Sequence, residues 1–333
     1  MEHQKWVSRY REELKGIAIL WVIFFHALIP LTGLLYHIQK IGYGGVDIFF
    51  FLTGYGLYYS LEKNGNIRAY WGRRMRRILP AYLPFIFCWI LVMFPRYQLS
   101  TVQAIRSGMG NLLLLGYWFT VPKTFNWYIG GLTLFLLLAP LFHGLLSGSG
   151  KPAKTFFFLL CVSVGLGFCC VGLDQYMAIS RLPVFLLGMA FAMPLRPFQV
   201  SPGVKRGLYM LSFGVGIFIL LLCFARYPEL LLTYAMYWHP FALITPPLCI
   251  GLAYLFHKGE KIRGIFLPLR LFGEASFEIY LFNIWMVEMG KRYAVSGSWQ
   301  WLLLSTGSIA VGMGYHFLVK KGLRIYSGFA GAN

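Results

Sequence analysis

From residue 16 almost to the C-terminus, continuous apolar runs of 17 to 25 residues are separated by short polar stretches. A run of about 20 apolar residues is what a helix needs to cross a hydrocarbon core of about 30 Å, and a spanning segment must satisfy its own backbone hydrogen bonds. The pattern predicts spans at roughly 16–34, 44–62, 78–95, 124–147, 155–173, 179–195, 206–225, 232–256, 268–289 and 298–319. The fold class expected is therefore all-α, a polytopic transmembrane helix bundle of about 10 spans. Residues 107–121 (SGMGNLLLLGYWFTV) are apolar but short and contain glycine, which suits a re-entrant or interfacial piece. No stretch outside the spans is long enough for a soluble fold, so one membrane-embedded domain over residues 1–333 is expected, with no separate extracytoplasmic domain. The polar start, Met1 to Lys15, does not resemble a cleavable leader.

Composition agrees with the pattern. The chain is 58% hydrophobic and 12% charged, with mean hydropathy +0.63, against the roughly 25% charge of soluble domains. A net charge of +19 raises the question of nucleic acid, yet the basic residues sit at span ends, where a cytoplasmic positive bias and anionic headgroups account for them. With ten spans and the N-terminus inside, 22 of the 30 basic residues face the cytoplasm. The others are Lys40, Arg96, Arg106, Lys123, Arg181, Arg226, Lys291 and Arg292, so an N-in, C-in topology is expected. The six cysteines lack metal-ligand spacing, and no metal site is expected.

An ionisable group inside a membrane is costly enough to be a functional candidate by default. His26 lies in the first span and Lys15 at its start. Eleven helical residues turn the chain about 1100°, only about 20° past three turns, so the two share a face about 16 Å apart along the axis. His26 is a candidate base or a histidine bonded to a neighbouring helix; Lys15 is its partner or a snorkelling interfacial lysine. Asp47 opens the second span in GYGGVDIFFFLTGYG, where a carboxylate either orients a histidine or complements a helix dipole. The following segment, read as a loop, holds Arg68, Arg73, Arg74, Arg76 and Arg77. Guanidinium forks suit phosphates, of a nucleotide-bearing cosubstrate or of anionic lipids.

KGIAILWVIFFHA, GYGGVDIFFFLTGYG, RRMRRILPAYL, NWYIGGLTLFLLLAPLF, SRLPVFLLGMAFA and FGEASFEIYLFN follow one another in the order and at about the spacing of the acyltransferase-3 family. These are bacterial integral membrane acyltransferases of the glycan O-acetyltransferase type, and the resemblance runs from about residue 13 to 290. The family's Arg, ten residues, His signature falls on Lys15 and His26, and its R-x-x-R-x-x-P on Arg74, Arg77 and Pro80. Lys15 departs from arginine, Thr53 from the usual Ser, and Asn283 from a His that commonly follows Y-L.

The resemblance implies transfer of an acyl group, usually acetyl from acetyl-CoA or another acyl-CoA, to a hydroxyl of an extracytoplasmic or lipid-linked glycan. It implies catalytic roles for His26, Lys15 and Asp47, and CoA binding by Arg73, Arg74 and Arg77. Arg181, Trp127, Tyr280 and Asn283 are acceptor-binding candidates, with Trp127 and Tyr280 alternatively packing or interfacial aromatics. Glu274 and Glu278 are either ligands or interhelical ion-pair partners. The expected place is the bacterial cytoplasmic (inner) membrane, with lipids and a separate extracytoplasmic protein as candidate partners and no nucleic acid. The rival reading is a polytopic secondary transporter or lipid flippase, which should show two related halves; the sequence shows no repeat.

Overall fold

A computed structural model of the chain describes residues 2–193, 201–227, 230, 235–260 and 264–330. Arg196, Lys261 and Arg263 of the inside-facing set lie outside the described residues, as do positions 194–195 and 232–234 of two expected spans. In chain order the helices are α1 (Glu2–Arg9), α2 (Arg11–His26), α3 (Gly33–Lys40), α4 (Gly44–Lys63) and α5 (Ile67–Met93). They continue with α6 (Thr101–Leu112), α7 (Trp127–Ser147), α8 (Pro152–Cys169), α9 (Tyr176–Ile179) and α10 (Leu182–Ala192). The last are α11 (Pro202–Arg226), α12 (Ala235–Gly259), α13 (Leu267–Glu274), α14 (Ser276–Arg292) and α15 (Ser298–Ala330). Among the described residues there is no strand.

Among the described residues, six helices are long and apolar enough to cross a membrane: Ile67–Arg96, Trp127–Ser147, Pro152–Cys169, Gly203–Arg226, His239–Gly259 and Ser298–Ile325. The protein is thus a polytopic all-α membrane protein. The other four expected spans fall on α2, α4, α9 with α10, and α13 with α14, which are shorter, interrupted or more polar. Those four carry Lys15, His26, Asp47, Arg181, Glu278 and Asn283.

Several local expectations change. The helix of the first span stops at His26 rather than running to residue 34. Pro30 biases the residue before it away from the α region, and Gly33 takes a left-handed φ of 59° as the chain re-enters a helix. Gln39 Nε2 then donates to the Ala27 carbonyl and Trp21 Nε1 to the Ile38 carbonyl at 3.0 Å, folding α3 back on α2. The arginine run is no loop: α5 begins at Ile67, so the loop shrinks to residues 64–66. The span expected at 268–289 is broken at Ala275. One expectation does not change: residues 107–121, read as too short for a span, hold the end of α6, which stops at Leu112 after 12 residues and is followed by turns.

The chain divides into two compact units. The first comprises Met1–Tyr10, Asp47–Tyr70 and Leu113–Lys261. Its core includes the fully buried Phe50, Phe51, Phe135 and Phe185, with the Phe135 and Phe185 rings stacked at 5.0 Å. Within it α4 and α10 touch backbone to backbone. A Cβ at Gly54 would stand 2.2 Å from the Phe185 carbonyl oxygen, and one at Gly188 would stand 2.1 Å from that of Phe51. In lipid the hydrophobic effect does not drive helices together, and small residues of this kind let packing do so. At one edge Tyr10 donates to Glu260 at 2.9 Å and Arg9 pairs with the same carboxylate. The Tyr10 hydrogen bond, with Arg9 beside it, holds the Glu260 carboxyl below its ordinary range.

The second unit comprises Arg11–Val46, Trp71–Leu112 and Ile262–Asn333. Here the closely packed pair is α2 and α13. A Cβ at Gly16 would lie 2.0 Å from the Leu269 carbonyl oxygen, and one at Gly273 only 1.7 Å from that of Glu12. Gly312 lets α15 approach α14 at Ile279 in the same way. Tyr315 ties α15 to the Ala81 carbonyl of α5 at 2.8 Å, and Tyr82 ties α5 to the Asn111 carbonyl of α6 at 2.9 Å.

Candidate active site

In the second unit the last residue of α2 meets the middle of α14. His26 Nδ1 lies 2.8 Å from Asn283 Oδ1, and Asn283 Nδ2 donates to Ser308 Oγ of α15 at 3.3 Å. Ser308 in turn donates to the Ser305 carbonyl at 2.6 Å. Asn283 is 1% exposed and Ser308 fully buried. An amide oxygen only accepts, so Nδ1 carries the ring proton and Nε2 keeps the lone pair in the neutral imidazole. The three-residue chain fixes both the tautomer and the ring plane. Chemically, it leaves one oriented basic nitrogen inside a membrane protein.

At the other end of α2, Lys15 is 7% exposed and forms an ion pair with Glu12 one turn earlier. The charges of Arg11 and Arg77 also act on its ammonium. On α5, Arg73 and Arg77 are four residues apart and Arg74 and Arg77 three, so Arg77 neighbours both on the helix surface. Arg76 turns to its own helix, donating to the Gly72 carbonyl at 3.1 Å. Arg73 Nη2 is buried with no hydrogen-bond partner among the described residues. A buried guanidinium nitrogen left in that state, beside further cations, fits a phosphate-bearing ligand.

The first unit holds a different centre. Asp47 is fully buried, and Arg181, 1% exposed, stands with its Nε 3.7 Å from Asp47 Oδ1. The guanidinium lies over the Trp127 ring, 5.3 Å from its centroid, and Nη1 donates to Ser180 Oγ at 3.1 Å. Arg181 immediately precedes α10, with Pro183 in that helix's first turn. Three of the sequence candidates are therefore brought together here: Asp47, Arg181 and Trp127.

His26 and Asn283 are brought together in the second unit, where Tyr280, 3% exposed, is buried on the same helix as Asn283. Glu274 bonds Lys320 at 3.1 Å and faces Arg270 at 3.4 Å, while Glu278 meets His316 at 3.1 Å. Sequence reading missed Ser308 and Glu12. Ser308 sits in an apolar run with nothing to mark it, whereas Glu12, three residues before Lys15 in a helix, had a legible pairing signal. Among the described residues no three His, Cys, Asp or Glu side chains converge on one point.

The family model described as an acyltransferase domain matches residues 12–316. O-acetyltransferase OatA of Staphylococcus aureus is 23% identical over 85% of this chain and 51% of its own length. YrhL of Bacillus subtilis, provisionally named a peptidoglycan O-acetyltransferase, is 31% identical over 38% of this chain and 20% of its own. Acyltransferase MdmB of Streptomyces mycarofaciens is 24% identical over 87% of this chain and 80% of its own length. The chain thus spans about half the length of OatA and about a fifth of YrhL. No solved structure matches it significantly. A domain match over nearly all of the helical framework, His26 and the arginine helix included, means that the chain belongs to the acyltransferase-3 family.

Proposed function

We propose that this protein is a membrane O-acyltransferase that moves an acyl group, acetyl from cytosolic acetyl-CoA, to a hydroxyl of an extracytoplasmic or lipid-linked glycan. The observation that carries the reading is the His26 ring, held through Nδ1 by Asn283 with Nε2 left as the basic nitrogen. Support for the glycan comes from the peptidoglycan O-acetyltransferase name given to YrhL and the O-acetyltransferase name of OatA.

In this reading Lys15, Arg73, Arg74 and Arg77 hold the CoA phosphates at the cytosolic face. The bound thioester supplies the activated acyl carbon. His26 Nε2 takes the proton as the acceptor oxygen attacks that carbon; the O–C bond forms, the C–S bond breaks, and the proton passes to the departing thiolate. The same nitrogen would serve a stepwise transfer through an acylated histidine. Shielding from bulk water suppresses hydrolysis, the competing outcome. Asp47 and Arg181, a buried pair, hold the helices on which acceptor contacts are built.

The N-in, C-in orientation in the cytoplasmic membrane, a single functional domain and a separate extracytoplasmic partner belong to the same proposal. Cell-envelope glycans compared by mass spectrometry, with and without the protein, test it. Loss of an O-acyl mass increment in its absence is expected; identical acylation would count against the function.

A further inference from the structure

A cleft of about 310 Å³ opens in the first compact unit among Tyr117, Thr120, Val121, Thr124, Asp174 and Met177. Two irregular segments form it, residues 113–126 and 170–175 leading into α9. They are tied together: Tyr117 donates to the Asp174 carbonyl, and Gln175 Nε2 to the Trp118 carbonyl at 3.4 Å. The cleft is also anchored inward, because Met177 on its wall offers its carbonyl to Arg181 Nη1 at 3.5 Å. Thr120 adopts a left-handed φ of 43°, a conformation that a threonine takes only where its surroundings impose it.

The chemistry of the lining narrows the ligand. In a chain of net charge +19, the cleft is lined by no Lys or Arg and by one carboxylate, Asp174. Phosphate, CoA and anionic headgroups find no cationic side chain on the lining, and the Arg181 guanidinium behind Met177 already faces the Asp47 carboxylate. A sugar ring does find partners: Asp174 accepts from hydroxyls, Thr120 and Thr124 donate and accept, and Tyr117 offers an aromatic surface. The volume is at the low end of ligand pockets, which run from about 300 to 1,000 Å³, and suits one ring rather than a nucleotide. We infer that this cleft is a subsite for one neutral saccharide residue of the acceptor. The inference rests on the glycan reading above, and in the proposed orientation both segments face the extracytoplasmic side.

The test uses the full chain in nanodiscs, with N-acetylglucosamine oligosaccharides as probe and saturation-transfer NMR as the binding readout. Transfer kinetics are measured in parallel with acetyl-CoA. Asp174→Asn and Thr124→Val should each weaken saccharide binding and raise its KM, about tenfold for the charged partner and less for the hydroxyl, with the acetyl-CoA KM at the wild-type value. Wild-type saccharide affinity in both folded variants overturns the cleft while leaving acyl transfer standing, and so does a wild-type protein that transfers acetyl without binding the probe. Saccharide binding that the variants weaken, in a protein that transfers nothing, upholds the cleft and removes the transferase reading instead.

Discussion

Both compact units solve the same packing problem in the same way, yet they place opposite chemistry in the result. Each brings two helices into backbone contact through glycines, Gly54 and Gly188 in the first, Gly16 and Gly273 in the second. Each seats a polar centre mainly on helices that are shorter, interrupted or more polar than the long apolar ones, joined by one residue of a long helix, Trp127 of α7 in the first and Ser308 of α15 in the second. The first centre is charged, with the Asp47 carboxylate set against the Arg181 guanidinium. The second is neutral, a histidine, an amide and a hydroxyl in line. A carboxylate facing a guanidinium has its charge committed to holding two helices, whereas an imidazole fixed by an amide oxygen keeps a lone pair for a substrate proton. Buried polarity is common to both centres, and the proposal places the chemistry at the second because a basic nitrogen remains available there.

Breaking the ion pair should have the largest effect on stability. Asp47→Ala or Arg181→Ala strands a buried charge, a loss of about 3–5 kcal/mol, while the double variant Asp47→Leu with Arg181→Met should recover most of it. Thermal unfolding in detergent reads both; a double variant as unstable as the sum of the singles would refute the pairing. On the donor side, Arg74→Ala and Arg77→Ala should each weaken acetyl-CoA binding by about 1.5–3 kcal/mol, read by calorimetry. Unchanged affinity would move the arginines to another role. Asn283→Ala releases the imidazole from its orienting bond and should lower transfer roughly 10- to 100-fold, with folding and acetyl-CoA affinity largely kept. The smallest effect belongs to Glu260, whose exposed pair with Arg9 and Tyr10 is a surface contact. Its carboxyl is held low, so its stabilisation is present at neutral pH and is lost as pH falls through its folded-state value. Glu260→Gln should shift the unfolding midpoint slightly at neutral pH and not at all in acid.

The helical membrane framework was legible because lipid demands long uninterrupted apolar runs, and the long runs of α5, α7, α8 and α15 stand out in the sequence. The placing of Lys15 and His26 on one helix was legible too, since α2 runs unbroken through both. What hydropathy did not reveal was where polar helices begin and end. The arginine-rich first turns of α5 looked like a loop because they are hydrophilic, although only Asn64 to Asn66 separate α4 from α5. The stop at His26 depends on Pro30 and Gly33, and the break at Ala275 on how α13 packs against α2. The partner of His26 was beyond reach, since Asn283 lies 257 residues away and the contact exists only once α2 and α14 meet. Asp47, read as either orienting a histidine or complementing a helix dipole, lies in the first turn of α4 and faces Arg181, a partner 134 residues away that no local pattern reveals.

The central claim is that His26 Nε2 handles the proton or the acyl group, and His26→Gln measures it most directly. Glutamine can keep a hydrogen bond to Asn283 but cannot accept a proton. Purified His26→Gln protein, folded and binding acetyl-CoA as wild type does, should transfer acetyl to glycan at a rate lower by about 10²–10⁴-fold. Transfer by that protein at close to the wild-type rate would contradict the assignment and leave His26 a structural histidine.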